Sequence, residues 1–185
     1  MHVKWKKLAL WLLIAAIVLV LAVWIQRELA FREELRARPL PTALHPEVAE
    51  KSDELIRRAA AIGIDAVVTE GFRSAERQNE LYAQGRTTEG SIVTQVEGGG
   101  SYHNYGLAID FALLEEDGDI SWDLERDANA NGEPDWFEVA AIGKDLGFEW
   151  GGDWRRFKDY PHLELTYGLS IRELKNGWRP EDVME

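Results

Sequence analysis

The chain contains no cysteine among its 185 residues. A thiolate metal site is therefore excluded, and a domain working outside the cell would have to do without disulfides, so cysteine usage does not locate the protein. Histidine is scarce, with four in all. His2 precedes an apolar segment and His45 lies among prolines, which leaves His103 and His162 as the interior candidates. Basic charge is short as well: 21 Lys and Arg stand against 33 Asp and Glu, for a net charge of −12. Lys4, Lys6 and Lys7 are the only charges before residue 26, so without those three the remainder carries −15. That balance argues against a nucleic-acid partner and against a purely electrostatic hold on an anionic cell wall.

The richest stretch is Ser101-Tyr102-His103-Asn104-Tyr105-Gly106-Leu107-Ala108-Ile109-Asp110. From Leu107 to Leu113 the large apolar side chains occupy odd positions, as in a strand with one face on the core and Asp110 on the other. Gly106 permits a turn from a loop into that strand, so His103 can fold back toward the face of Asp110. The distant complement is Asp159-Tyr160-Pro161-His162, and His162-Leu163-Glu164-Leu165 alternates so that His162 and Glu164 share a face. Taken singly, each histidine reads first as a loop cap or a hydrogen-bonded core residue. Together, two imidazoles and a carboxylate with one open position form a catalytic rather than a structural zinc arrangement.

These residues also carry a family resemblance. Ser101-x-His103-x-x-Gly106-x-Ala108-x-Asp110, then Trp150-Gly151-Gly152-Asp153-Trp154 and Asp159-x-Pro161-His162-x-Glu164, resembles the zinc peptidases of the D-alanyl-D-alanine carboxypeptidase and L-alanyl-D-glutamate endopeptidase family. Gly71-Phe72-Arg73-Ser74, with Gln78 and Leu81 to Arg86 behind it, matches that family's arginine-bearing segment. The resemblance covers about residues 46 to 175. It implies Zn2+ held by His103, Asp110 and His162, Asp159 as the base that activates water, and Arg73 as partner of the scissile carbonyl or of a substrate carboxylate. Without it, Arg73 would read as a surface ion pair. Gln78, Ser101, Tyr105, Trp150 and Trp154 are candidates for substrate contact, with Tyr102 as a further cleft aromatic. A helix face, a loop hydroxyl and core packing explain these nearly as well, and one of the two tryptophans is expected to pack inside.

The rest of the chain organises around that site. Leu8 to Ile25 is an uncharged run of 18 residues, about 27 Å long as a helix, close to the hydrocarbon thickness of a bilayer. Trp5, Trp11 and Trp24 near its ends and the lysines before it suit an anchor, and no Ala-x-Ala site follows, so an uncleaved span is favoured over a signal peptide. The expected division is residues 1–25 as cytoplasmic tail and transmembrane anchor, 26–45 as juxtamembrane spacer and 46–185 as the peptidase domain, outside the membrane. About 140 residues suffice for one core. Helices are expected from Pro46 to Gly63, from Ser74 as cap to about Gln84, and from Trp136 to Gly147, with a strand over 64–69. Arg86 to Gly100 reads as a mobile loop delivering Ser101 and His103 to the cleft.

An acidic insertion, 115–135, carries a second pattern. Asp127, Asn129, Asn131 and Glu138, with Gly132, occupy positions 1, 3, 5, 12 and 6 of a twelve-residue calcium loop. Against Ca2+ stand the inner Pro134 and the lack of a clear preceding helix, so an Asn/Gly turn remains open.

The fold expected is α+β, a small mainly antiparallel sheet with helices on one side and a zinc cleft on the other, preceded by one transmembrane helix. The reaction expected is amide hydrolysis in a peptidoglycan stem peptide, at the L-alanyl-D-glutamate bond. A D-alanyl-D-alanine carboxypeptidase is the alternative, and would need a cation for the terminal carboxylate that Arg73 cannot obviously supply as well. A non-catalytic wall-binding or calcium-sensing module is the other. Oligomeric state is not legible.

Overall fold

The computed structural model describes residues 2–184 of the chain, with the side chains of Lys4 and Lys6, two of the expected flanking charges, outside the described set. Helix α1 (His2–Arg36) runs unbroken through the apolar segment. Every residue from Leu8 to Ile25 is exposed, and the helix is long and apolar enough to cross a membrane. By length and composition it suits a span or a signal sequence alike.

Residues 26–45, expected as a spacer, continue α1 and then lie against the domain. Leu35 is buried, Phe31 meets the edge of Trp178 at 6.2 Å, and Arg38 pairs with Asp182 at 2.6 Å. The backbone of Leu35 passes so close to Gly177 that no Cβ would fit there.

Helix α2 (Pro46–Ala61) opens with proline at its first position and buries Val48, Leu55 and Ala59, the face the apolar periodicity marks. Strand β1 (Ala66–Glu70) follows. Ser74 then caps helix α3 (Ala75–Ala83) by accepting from the Arg77 amide. After a long connection come β2 (Ala108–Leu114), β3 (Ile120–Ser121), α4 (Asp135–Asp145), β4 (Glu149–Trp150), β5 (His162–Glu164) and α5 (Ile171–Lys175). The strands form one sheet in the order β1-β2-β5-β4, with β3 alongside β2. Every strand pair is antiparallel.

Helices α2 and α4 cover one face of the sheet. Phe111 of β2 packs on Trp136 of α4 at 5.0 Å, and Gly143 admits the Leu163 side chain where a Cβ would crowd it. Ile109, Phe111 and Leu113 are fully buried on this face, and Asp110 on the opposite face is left to the cleft.

Gly106 is the turn on which the site depends. It ends a short 3-10 helix (Tyr102–Tyr105) in the left-handed region, φ +69, and a Cβ there would lie 2.3 Å from the Ala43 carbonyl oxygen and 2.9 Å from the His45 nitrogen. An L side chain meets both the left-handed penalty, about 1–2 kcal/mol, and that backbone. Gly106→Ala is therefore expected to lower unfolding stability by at least this amount, read by urea denaturation. An unchanged midpoint would show that the turn relaxes without cost.

Candidate active site

The register of the sheet assembles the site. Opposite Asp110 of β2 stand Glu70 on β1 and His162 on β5, and directly opposed residues point to the same face. A register shift between Val68 and Glu70 is the local irregularity that aims Glu70 this way. His103 enters from the 3-10 helix, whose start is capped by Ser101 and whose end is turned by Gly106.

Each imidazole is held by one nitrogen and offers the other. His103 Nδ1 lies 2.7 Å from the Gly71 carbonyl oxygen, which fixes the proton on Nδ1 and turns Nε2 toward Asp110 Oδ1, 3.3 Å away. His162 Nε2 is 2.9 Å from Glu164 Oε2, and its Nδ1 is 3.3 Å from the same Asp110 oxygen. The ligand atoms of His103, Asp110 and His162 lie within 4.8 Å of one another. Histidines oriented by an oxygen on the far nitrogen are characteristic of metal sites, and this donor set, two nitrogens and a carboxylate with a side open to the cleft, fits a catalytic zinc.

Burial by itself would push the Asp110 carboxyl up, but hydrogen bonds from His103 and His162 outweigh it and hold the group well below the usual range. Burial disfavours the charged form of His162, yet Asp110 and Glu164 raise it to about 9. Asp159 is pushed up by burial and by Asp110, against His162, His103 and Arg73, which moves it toward the range useful to a general base. Burial opposes the charge of Arg73, and Glu70, then Asp110 and Asp159, more than offset that.

The cleft is lined by Arg73, Ser101, Tyr102, His103, Asp110, Trp154, Asp159 and His162, so most of the expected site residues converge. Three do not. Gln78 is fully buried and donates to Thr94 Oγ1 and the Val96 carbonyl, so substrate contact is replaced by an internal role. Tyr105 is buried with its hydroxyl on the Gly99 carbonyl. Trp150 packs in the core with its indole N–H on the Tyr160 carbonyl, while Trp154 lies beside the His162 ring at 5.1 Å. The connection read as a mobile loop is tied down through Gln78 and through Asn79, which accepts from the Gly98 amide at 2.7 Å, and its residues 92–96 form a cleft wall.

Asp127, Asn129, Asn131 and Glu138 do not enter the cleft. Their loop leads from Arg126, which bonds the Leu114 carbonyl at the other end of β2. Asp127 accepts from the Asn131 and Gly132 amides, and both asparagine Nδ2 groups donate to Glu138. A calcium ion would need those donors turned away. Arg126 on the buried Asp135 at 2.7 Å also holds the insertion in place.

His162 generates a prediction. Its folded pKa is raised, so below about pH 9 the metal-free site holds a proton that an entering metal must displace. Apparent zinc affinity of the metal-free domain is expected to rise with pH between about 6 and 8, by at most about tenfold per unit, in a chelator competition. Glu164→Gln removes one of the two carboxylates that raise His162 and should shift the rise to lower pH. A flat profile in the unaltered protein would contradict the coupling.

Residues 94–165 match the family described as D-alanyl-D-alanine carboxypeptidase. The chain is 59% identical over 142 residues to the peptidoglycan L-alanyl-D-glutamate endopeptidase CwlK of Bacillus subtilis, covering 77% of this chain and 85% of that protein. It is 32% identical over 105 residues to an L-alanyl-D-glutamate peptidase of Listeria phage A118, a match spanning 57% of this chain and 32% of the phage protein. Among solved structures, the LdcB LD-carboxypeptidase superposes with a TM-score of 0.50 at 22% identity, over 74% of this chain and 77% of that one, a likeness of fold. With CwlK related over most of both lengths and the His-Asp-His cluster in place, the chain belongs to this family of peptidoglycan peptidases and is a metallopeptidase.

Proposed function

We propose that the protein is a zinc-dependent endopeptidase that hydrolyses the L-alanyl-D-glutamate bond of peptidoglycan stem peptides. The observation that carries this reading is the 59% identity to CwlK across most of both chains.

His103, Asp110 and His162 would hold the zinc, which when bound supplies a Lewis acid and a water of lowered pKa. Asp159 borders the same cleft, and its carboxyl, raised by burial, takes the proton of the attacking water and returns it to the leaving amine. Arg73 presents its guanidinium from the turn after β1, 3.5 Å from Asp110, and stabilises the negative charge that grows on the scissile carbonyl oxygen. The indole of Trp154 covers the His162 ring and keeps bulk water from that side. Ser101 seats His103 by capping its helix.

The apolar α1 is the membrane anchor in this reading, with the domain on the wall side, where the substrate lies. Protease added to intact cells or spheroplasts should digest the domain while a membrane-bound fragment containing Leu8–Ile25 persists. A mature chain that begins after residue 25 and is freely released would overturn the anchor.

Digestion of purified peptidoglycan by the domain, followed by mass spectrometry, is expected to yield stem fragments with a new D-glutamate amino terminus. Release of terminal D-alanine alone, from uncapped but not capped peptides, would make the protein a carboxypeptidase. Asp159→Asn is expected to keep its zinc and lose about 10²- to 10⁴-fold in kcat, the range for removing a general base. Undiminished turnover in that variant would reject Asp159 as the base.

A further inference from the structure

Arg73 does not reach the cleft as a free side chain. Its Nε donates to Glu70 Oε1 at 2.6 Å and its Nη2 to Glu70 Oε2 at 2.7 Å, a two-pronged pairing that fixes the plane of the guanidinium. Its Nη1 donates to Gln78 Oε1 at 3.0 Å. Those bonds occupy three of the five N–H donors a guanidinium carries, which leaves one on Nη1 and one on Nη2, the latter 3.5 Å from Asp110 Oδ2. The two clamping residues come from different elements. Glu70 stands at the end of β1 opposite Asp110, where the register shift aims it. Gln78 is on α3, fully buried, and its amide nitrogen is spent on Thr94 Oγ1 at 3.0 Å and the Val96 carbonyl at 2.9 Å. Thr94 and Val96 line the same cleft as His162 and Asp159.

We propose that Glu70 and Gln78 are positioning residues for Arg73, and that through Gln78 the guanidinium and the Ile92–Val96 cleft wall are seated as one unit. The physical reason is that a cation stabilises developing charge only when its donors are already aimed, and an unclamped arginine would lose rotamer entropy on each turnover. Glu70 supplies orientation from the sheet, so that the remaining donors keep a constant relation to the metal ligands on the same row. Gln78 supplies the link to the wall against which the peptide lies. The proposal rests on the reading of Arg73 as the partner of the carbonyl oxygen.

Glu70 is partly exposed, with 36% of its side chain accessible against 10% for Arg73, so substitutions there should leave the fold intact. The experiment is a double-mutant cycle in steady-state kinetics on a stem peptide with the zinc-loaded protein. Glu70→Gln is expected to lower kcat by about 10- to 100-fold, the scale of a misplacement near 1 Å, with KM changed less than about twofold and zinc content and thermal midpoint unaltered. In an Arg73→Ala background the same substitution should cost nothing further, because the group it orients is gone. Thr94→Val, which frees one prong of the Gln78 amide without touching Arg73, should give a smaller kcat loss that also vanishes in that background. Full and additive losses in both backgrounds, or an active Glu70→Gln protein beside a crippled Arg73→Ala protein, would overturn the clamp while leaving Arg73 in its role. An Arg73→Ala protein with undiminished kcat would remove the role of Arg73 itself, and the clamp with it.

Discussion

The interaction on which the rest depends is a single cross-strand row, Glu70–Asp110–His162, running across β1, β2 and β5. Antiparallel pairing brings directly opposed side chains to within about 5 Å on one face. The sheet therefore does what no local motif can: it sets a carboxylate between an imidazole and the residue that steers an arginine. His103 joins from outside the sheet, and its place depends on Gly106 turning left-handed against the backbone of residues 43–45. The opposite face of β2 is filled by Ile109, Phe111 and Leu113, so the row cannot slip by one residue without exposing the core.

That row concentrates charge in a poorly solvated place. Asp110, Asp159 and Glu164 face two imidazoles and one guanidinium, and the shifts follow from which charges touch. Asp110, hydrogen-bonded by both histidines, is driven down despite its burial, whereas Asp159 is driven up by burial and by Asp110, against the pull of His162, His103 and Arg73. Two carboxyls in one cleft are thus pushed in opposite directions by their surroundings, the kind of separation that acid–base chemistry near neutrality uses. Glu164 completes the pattern by gripping the outer nitrogen of His162, which both orients the ring and raises its basicity.

Much of this was legible in the sequence, and what was not has identifiable causes. Alternation in 107–113 and 162–165 placed Asp110, His162 and Glu164 on one face, because strand period is local information. Glu164, two residues along the strand and about 7 Å away at the backbone, supports the His162 ring from 2.9 Å, as their shared face allows. Glu70 escaped notice because its placement depends on a register irregularity against β2 that no local pattern encodes. Gln78 read as a substrate contact or a solvent-facing helix residue; α3 spans nine residues, too few for a polar amide to betray which face is buried, and the partners Arg73, Thr94 and Val96 explain it. Trp150 and Trp154 were indistinguishable by type, and the turn at Gly151 and Gly152 decided which one packs inside.

The amino-terminal helix shows the same division between local and distant information. Hydropathy picks out the apolar run, but not that its helix continues to Arg36 and ends on the domain, with Leu35 buried and Arg38 paired to Asp182. From there the contacts lead inward. Arg179, beside Asp182, lies over the Tyr105 ring at 5.4 Å, the Tyr105 hydroxyl holds the Gly99 carbonyl, and Gly99 also bonds Asn104, the neighbour of His103. In the anchored form proposed above, residues 26–36 would carry the domain about 16 Å beyond the apolar span, at roughly 1.5 Å per residue, on a helix rather than on a flexible tether. A helix docked at its end restricts tilt as well as distance. The cleft would then sample the stem peptides nearest the membrane in a narrow range of orientations, and the buried Leu35 contact, far from the metal ligands, becomes part of how substrate is presented.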